Sequence, residues 1–466
     1  MKITHLSAEC YPIAKVGGLA DVVGALPKYQ NDLGAESSVI MPFYNNAYTQ
    51  KNEFEEVYTG TVIVGRQFDF RLLSLKDNSL GYDLYLVDIP ELLFTPSVYS
   101  DYDTNRFLAF QVAALTWIAQ DAQKPDVIHC HDHHTGLIPF MVSHCLAFSG
   151  LAHIPTVLTI HNAQYQGWFS QDLITLLPEF PASKFGFLEW DNSINPLAAG
   201  IKCAWRVNTV SPSYMEELKL KANGLESLLR NESAKCSGIL NGIDAEVWNP
   251  ETDHYLIQNY PNSRVQSGKK ANKAWLCKTF GLDPSRPLFA FIGRLVGEKG
   301  ADLFPEIFSN VLSSHEISVL LLGSGHSGVE QQLRHLKDWH GGSYNCYIGY
   351  NEELSHIIYA GADYLLMPSR VEPCGLNQMY ALRYGTIPVV SSVGGLKDTV
   401  IDVGDGGFGI RHDYVNVGEV CHAVERGVRL YEDQATFRKI RRKIMKIDHS
   451  WNASAQKYIE LYESII

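Results

Sequence analysis

The sequence predicts an α/β protein of two domains, each built on a parallel sheet. Three observations support this: short apolar runs recur along all 466 residues, helical patterns separate many of them, and the alternation pauses once near the middle. Apolar runs bounded by polar or Gly/Pro turns suit strands buried on both faces. Strands alternating with helices suit parallel sheets joined by right-handed crossovers.

The first-half strands are predicted over 3–6, 38–41, 82–87, 126–130, 156–160 and 207–210. Those of the second half are predicted over 288–292, 318–322, 344–348, 364–367 and 387–391. Helical patterns fall over 105–120, 352–360 and 376–384. Between about 242 and 286 the alternation stops, and the polar segment 261–270 reads as a domain junction. Two α/β domains of similar size with a cleft between them follow from that pause. No internal repeat or low-complexity tract interrupts the pattern.

Bulk composition narrows the class. Hydrophobic residues at 45% and charged residues at 19% are ordinary for a soluble globular chain. No apolar run approaches the ~20 residues of a membrane span, and the N-terminus lacks a basic-then-apolar leader, so a cytoplasmic protein without membrane contact is expected. A net charge of −12 argues against a nucleic-acid partner. The basic run Arg438–Lys443 reads as a solvated helix face. Nine scattered cysteines, odd in number and never in CxxC, fit a reduced compartment.

Residues 15–21, Lys15-Val16-Gly17-Gly18-Leu19-Ala20-Asp21, follow the first strand and open a helical segment. Paired glycines let the backbone approach a ligand, and a helix start offers unpaired N–H groups beside the mobile charge of Lys15. The residues suit a pyrophosphate seat, although a tight βα turn with a surface lysine would carry the same pattern. In the second half the strand at 288–292 runs into Gly293-Arg294-Leu295-Val296-Gly297-Glu298-Lys299-Gly300. Ligands bind at the carboxyl ends of such strands, and Arg294 and Lys299 could converge on one diphosphate. Farther on, Pro373 suits a first helical turn, leaving the N–H groups of Cys374, Gly375 and Leu376 for an anion. Glu372, just ahead, could accept hydrogen bonds from sugar hydroxyls.

Several motifs occur in order: Lys-x-Gly-Gly-Leu-x-Asp at 15–21, His-x-His-Asp at 129–132, His-Asn at 161–162, Asn-Gly-Ile-Asp at 241–244, Gly-Arg-Leu…Glu-Lys-Gly at 293–300 and Ser-Arg-x-Glu-Pro-Cys-Gly-Leu at 369–376. The chain thereby resembles the bacterial glycogen synthase and plant starch synthase family, retaining glucosyltransferases of the GT-B fold, over nearly its whole length. The resemblance implies two Rossmann-like domains, 1–245 and 246–449, whose parallel sheets face each other across a deep cleft, with a last helix, 450–466, returning to the first domain. It implies transfer of glucose from ADP-glucose to an α-1,4-glucan, with no metal or other cofactor.

Residue by residue, the resemblance implies that Lys15, Gly17 and Gly18 form the donor-phosphate and sugar-side loop and that Asp21 contacts the ribose. Arg294, Lys299 and the backbone of Gly375 and Leu376 meet the diphosphate, Glu372 holds the glucose, and His161 lies beside the anomeric carbon. Asn162 and Asn241 line the sugar pocket, and Tyr350 stacks on adenine. Asp132 and Cys374, within the matching motifs, and Asn377, directly after the last of them, join the substrate-binding residues. Two positions differ from many relatives: Tyr380 stands eight positions after Glu372 in place of a second glutamate, and His133 replaces a usual tryptophan near the acceptor. The first departure fits the glycogen/starch branch. Competing readings are a GT-B enzyme acting on a UDP-sugar and a weakly active glucan-binding or priming protein.

Two other patterns compete for attention. Gly323-Ser324-Gly325-His326-Ser327-Gly328 matches GxGxxG, but on the second strand of its domain rather than at the first βα turn of a dinucleotide fold. His129-Cys130-His131-Asp132-His133-His134 looks like a metal cluster, since 129, 131 and 133 would share one strand face, but the run ends a buried strand and His129, His131 and Asp132 belong to the matching motif, so no metal is expected.

Overall fold

Every apolar run of the sequence falls on a strand in the computed structural model, which describes residues 1–466. The chain forms two compact units, Met1–Leu240 with Trp451–Ile466, and Asn241–Ser450. The strands of the first are β1 (Lys2–Leu6), β2 (Glu36–Pro42), β3 (Phe54–Val64), β4 (Arg66–Leu75), β5 (Asp83–Asp88), β6 (Val127–His131), β7 (Thr156–Ile160), the short pair β8 (Glu189–Trp190) and β9 (Ser193–Ile194), β10 (Arg206–Thr209) and β11 (Cys236–Gly238). Nine of them make one sheet in the order β11-β10-β7-β6-β1-β2-β5-β4-β3.

The central strands are parallel, and β4 pairs antiparallel with both β3 and β5. The β3–β4 hairpin escaped the sequence reading for a physical reason. It buries one face only, with Val62, Val64, Phe68 and Phe70 inside and Ile63 outside, so it has alternation instead of a continuous apolar run.

The first unit closes over β1 with two helices. Gly18–Asp32 follows the glycine loop, and Trp451–Glu463 packs Trp451, Ala455, Tyr458 and Tyr462 into a core with Ile3, Val22, Leu26 and Tyr29.

The second unit contains β12 (Leu288–Leu295), β13 (Ser318–Gly325), β14 (Tyr344–Ile348), β15 (Tyr364–Met367), β16 (Ile387–Ser391) and β17 (Ile410–His412), all parallel in the order β14-β13-β12-β15-β16-β17. The GxGxxG glycines serve strand approach. Gly323 and Gly325 lie on β13 opposite Gly293 and Leu295, where an added Cβ would sit 2.1 Å from the Gly293 carbonyl oxygen and 2.3 Å from that of Leu295.

The segment 261–270 is not a linker. It enters a helix, Val265–Phe280, inside the second unit. Lys269 is fully buried there, its Nζ donating to the carbonyls of Tyr359 (3.1 Å), Ala360 (3.0 Å) and Tyr384 (3.3 Å) and to Thr386 Oγ1 (2.6 Å). Asn272 and Lys273 are also buried, and Lys273 pairs with Asp363 at 2.7 Å. A helix whose inward face is polar has no apolar periodicity to read.

Candidate active site

In the first unit the glycine loop is fastened by a carboxylate that the sequence reading passed over. Buried Glu9 accepts hydrogen bonds from the N–H groups of Val16 (2.5 Å) and Gly17 (2.9 Å) through Oε2, and from the Tyr99 hydroxyl through Oε1. These two amides are therefore committed to the protein's own anion, and the helix begins at Gly18 rather than Lys15. Lys15 Nζ meets Asp21 Oδ1 at 2.6 Å, so the loop's cation and the first-turn acid come together at a partly exposed position. Glu9 had no local signal, being an isolated acid whose partners lie in the following loop and at Tyr99.

At the ends of β6 and β7 the site is organised around Asp132. Its backbone takes φ 57°, unusual for a non-glycine, and its Oδ1 accepts from the N–H groups of His161 (2.7 Å) and Asn162 (3.4 Å). One carboxylate thus ties the tips of two neighbouring strands. Burial pushes this carboxyl up to about 7 despite the two amide donors. Asn162 is exposed, and its Oδ1 caps the following turn through Gln164 N–H at 2.9 Å.

His133 does not continue the strand face of 129 and 131. The strand ends at His131, and His133 starts a short 3-10 turn, with its ring 3.7 Å from that of His134. It leans on Gly167, where a Cβ would lie 2.4 Å from the His133 Cδ2 atom.

The suspected metal cluster has a different organisation. His5, His129 and His131 place ring nitrogens within 4.8 Å of one another. Each of those six nitrogens has a hydrogen-bond partner: His131 and Gln30 for His5, Tyr462 and Thr159 for His129, His5 and His161 for His131. Burial holds all three imidazoles below the usual range, His5 at about 4. They form a neutral hydrogen-bonded network.

In the second unit, β12 extends through Arg294, which therefore stands on a strand end instead of in a turn. Its side chain is 70% exposed and 3.7 Å from Glu298. Lys299 ends the next short turn and pairs at 2.5 Å with Glu372, whose other donor is Ser369 Oγ at 3.0 Å. The structure thus joins Lys299 to Glu372, whereas Arg294 and Lys299 have separate carboxylate partners.

The two segments are clamped by Arg370, another residue without an assigned role in the sequence. Its guanidinium grips Asp302 (2.6 and 2.9 Å) and the Gly297 carbonyl (2.6 Å), and its N–H donates to the Glu298 carbonyl at 2.7 Å. The bidentate fork makes it a brace, which the pattern Arg-x-Glu alone does not reveal.

The helix expected from Pro373 begins only at Asn377. Gly375 breaks it with φ +75°, a left-handed conformation in which a Cβ would lie 2.5 Å from Gln378 Oε1. The N–H groups of Gly375 and Leu376 donate to no acceptor within the protein, so they remain offered to an anion from a turn instead of a helix. Gln378 was missed and braces that turn, its Nε2 reaching the carbonyls of Cys374 (3.0 Å) and Gly375 (2.9 Å).

Asn377 spends its amide on the Ile292 carbonyl at 2.7 Å, holding the turn at the end of β12. The Cys374 thiol is pushed up to about 12 by burial, with the backbone of Asn241 close enough to oppose that rise, so these two residues are neighbours. Tyr350 follows β14 and is 84% exposed.

Comparison with known proteins agrees across the full length. Residues 2–231 match the starch synthase catalytic domain family, and residues 277–437 match glycosyl transferases group 1. A glycogen synthase of Flavobacterium johnsoniae is 54% identical, over 100% of this chain and 99% of the relative. One of Rhodospirillum rubrum is 38% identical over the same shares. The solved catalytic domain of starch synthase IV from Arabidopsis thaliana, bound to ADP and acarbose, superposes with a TM-score of 0.85 at 31% identity, covering 100% of this chain and 99% of that one. A sucrose-phosphate synthase from Thermosynechococcus elongatus, at 17% identity and TM-score 0.63 with 100% and 98% covered, shares the fold.

Proposed function

The chain belongs to the glycogen and starch synthase family of GT-B glycosyltransferases, and from this premise we propose that it transfers glucose from ADP-glucose to the non-reducing end of an α-1,4-glucan with retention of configuration. The observation that carries the reading is the Lys299–Glu372 pair beside the open amides of Gly375 and Leu376. A cation and two backbone donors suit a leaving diphosphate, and a buried carboxylate within the same cluster suits the hydroxyls of the transferred sugar. Arg294 supplies a second cation for the diphosphate, Tyr350 a face for the adenine, and Asn241 and Cys374 a wall for the sugar. In the first unit, Lys15, Gly17, Gly18 and Asp21 serve the donor, and Asp132, His133, His161 and Asn162 serve the sugar and the acceptor.

The step balances without a metal or cofactor. The bond from the anomeric carbon to the diphosphate oxygen breaks, with its electron pair going to the phosphate. The acceptor 4-hydroxyl forms the new bond from the same face, and its proton passes to the departing phosphate oxygen. The products are ADP and a glucan longer by one glucose. Fixed donors aimed at the leaving group lower this barrier because they need no reorganisation as charge develops.

The chain has no helix long and apolar enough to cross a membrane. With the reduced cysteine pattern, this supports work on a dissolved glucan in the cytoplasm. The test is ADP release with glycogen as acceptor, comparing ADP-glucose with UDP-glucose. Preferential use of ADP-glucose, with α-1,4-linked product, is expected. Preference for UDP-glucose overturns the donor assignment, and maltooligosaccharide binding without ADP release supports a priming protein instead.

A further inference from the structure

The buried histidines of the first unit continue in both directions into a single chain of hydrogen bonds that ends on His161. From the far end, Asn208 Nδ2 donates to the Tyr458 hydroxyl (3.1 Å), and Asn208 Oδ1 accepts from Thr159 Oγ1 (2.6 Å). Thr159 Oγ1 is thus left to accept from His129 Nε2 (2.6 Å). A neutral His129 then presents a bare Nδ1 to the Tyr462 hydroxyl (2.7 Å), whose oxygen accepts from Gln30 Nε2 (3.1 Å).

Gln30 therefore turns its carbonyl oxygen toward His5 Nε2 (2.8 Å), and Ser37 Oγ donates to the same oxygen at 2.7 Å. His5 Nδ1 is left to accept from His131 Nε2 (3.0 Å), and His131 Nδ1 from His161 Nε2 (3.0 Å). Every bond runs in one sense, and a neutral imidazole has one donor and one acceptor, so reversing one link requires reversing its neighbours.

We propose that this chain is a positioning device for the transfer reaction: it fixes His161 as the Nε2–H tautomer, presenting the lone pair of Nδ1 to a substrate hydroxyl. Nδ1 makes no hydrogen bond within the protein, and the main-chain N–H of the same residue is fixed by Asp132. Ring and backbone of His161 are thus oriented by different partners. The neutral state the chain requires agrees with burial, which depresses the imidazole of His161 to about 3 and that of His5 to about 4.

Two links, Tyr458 and Tyr462, come from the C-terminal helix, so a segment hundreds of residues away in sequence sets the tautomer of a residue at the tip of β7. Tyr462 is a positioning residue in this account, acting through Gln30, His5 and His131.

The functional part of this inference rests on the placement of His161 beside the glucosyl group, whereas the tautomer itself does not. The experiment therefore has two arms. Long-range ¹H–¹⁵N correlation spectra of the intact protein with ¹⁵N-labelled histidine, with His161 assigned by its loss in His161→Gln, report directly which ring nitrogen carries the proton. Protonation at Nε2 is expected, and protonation at Nδ1 overturns the proposal whether or not the enzyme uses ADP-glucose.

The second arm is Tyr462→Phe, which removes the hydroxyl between Gln30 and His129 and keeps the ring. It should give a mixed His161 tautomer and lower kcat about fivefold, the worth of one neutral hydrogen bond, with the KM for ADP-glucose and the affinity for ADP held. A Tyr462→Phe protein with a single unchanged tautomer, or one whose kcat and ADP affinity fall together, refutes the positioning role.

Discussion

At the scale of single residues, Arg294 and Lys299 have the same assigned task and different structural situations. Arg294 is largely exposed, and its 3.7 Å approach to Glu298 contributes little to stability. Lys299 neutralises Glu372, which is only 7% exposed and otherwise has a serine hydroxyl for company. Arg294→Ala should therefore lower turnover about 100- to 1,000-fold, as loss of one transition-state charge contact does, with an unchanged melting temperature. Lys299→Ala should lose turnover to a similar degree and also about 1–3 kcal/mol of stability, because it strands a buried carboxylate. Steady-state kinetics and thermal melts of both variants check this contrast. Near-normal turnover in either would remove it from the diphosphate site.

At the scale of elements, legibility followed how each buries its surface. Strands buried on both faces, such as β15 and β16, were readable to the residue because apolar side chains fill nearly the whole of each. The hairpin of β3 and β4 and the helix Val265–Phe280 were not: the first alternates, and the second points Lys269, Asn272 and Lys273 inward. The site showed the same division. Lys15, Arg294 and Lys299 announce themselves by charge near glycine and Glu372 by its place before Pro373, whereas Glu9, Gln30, Arg370 and Gln378 act through partners distant in sequence or on carbonyls that carry no label.

Lys269 gives the element-scale prediction. Burial depresses its pKa well below the usual lysine range, yet the three N–H donors of its ammonium are shared among four oxygens. Lys269→Met fits the volume and removes the charged donor these buried oxygens share, leaving Thr386 and Tyr260 hydroxyls as their remaining donors, and should destabilise the second unit by about 3–5 kcal/mol in urea titration. A change below about 1 kcal/mol would show that neighbouring donors re-pair with those carbonyls.

At the scale of the whole molecule, the histidines make stability depend on pH in a direction that can be worked out. His5 and His133 are held at about 4 and His161 at about 3, and burial puts His129, His131 and His134 well below 6.5 as well. Below pH 6.5 the unfolded chain takes up protons on these rings and the folded chain does not, so stability is fully present above 6.5 and is lost as pH falls toward 4. Asp132, raised to about 7, acts the other way: its folded form takes up a proton first, which favours the fold as pH drops from 7 toward 4. One carboxyl offsets roughly one imidazole and leaves the remaining histidines in excess. Each costs about 1 kcal/mol between pH 6.5 and 5.5, so several kcal/mol should disappear over that single unit. Melting temperatures measured in steps from pH 8 to 5 should hold a plateau above 6.5 and drop steeply below it. His134→Phe, outside the hydrogen-bonded chain that ends on His161, should make the drop shallower. A flat profile down to pH 5 would mean that these imidazoles take up protons within the folded protein.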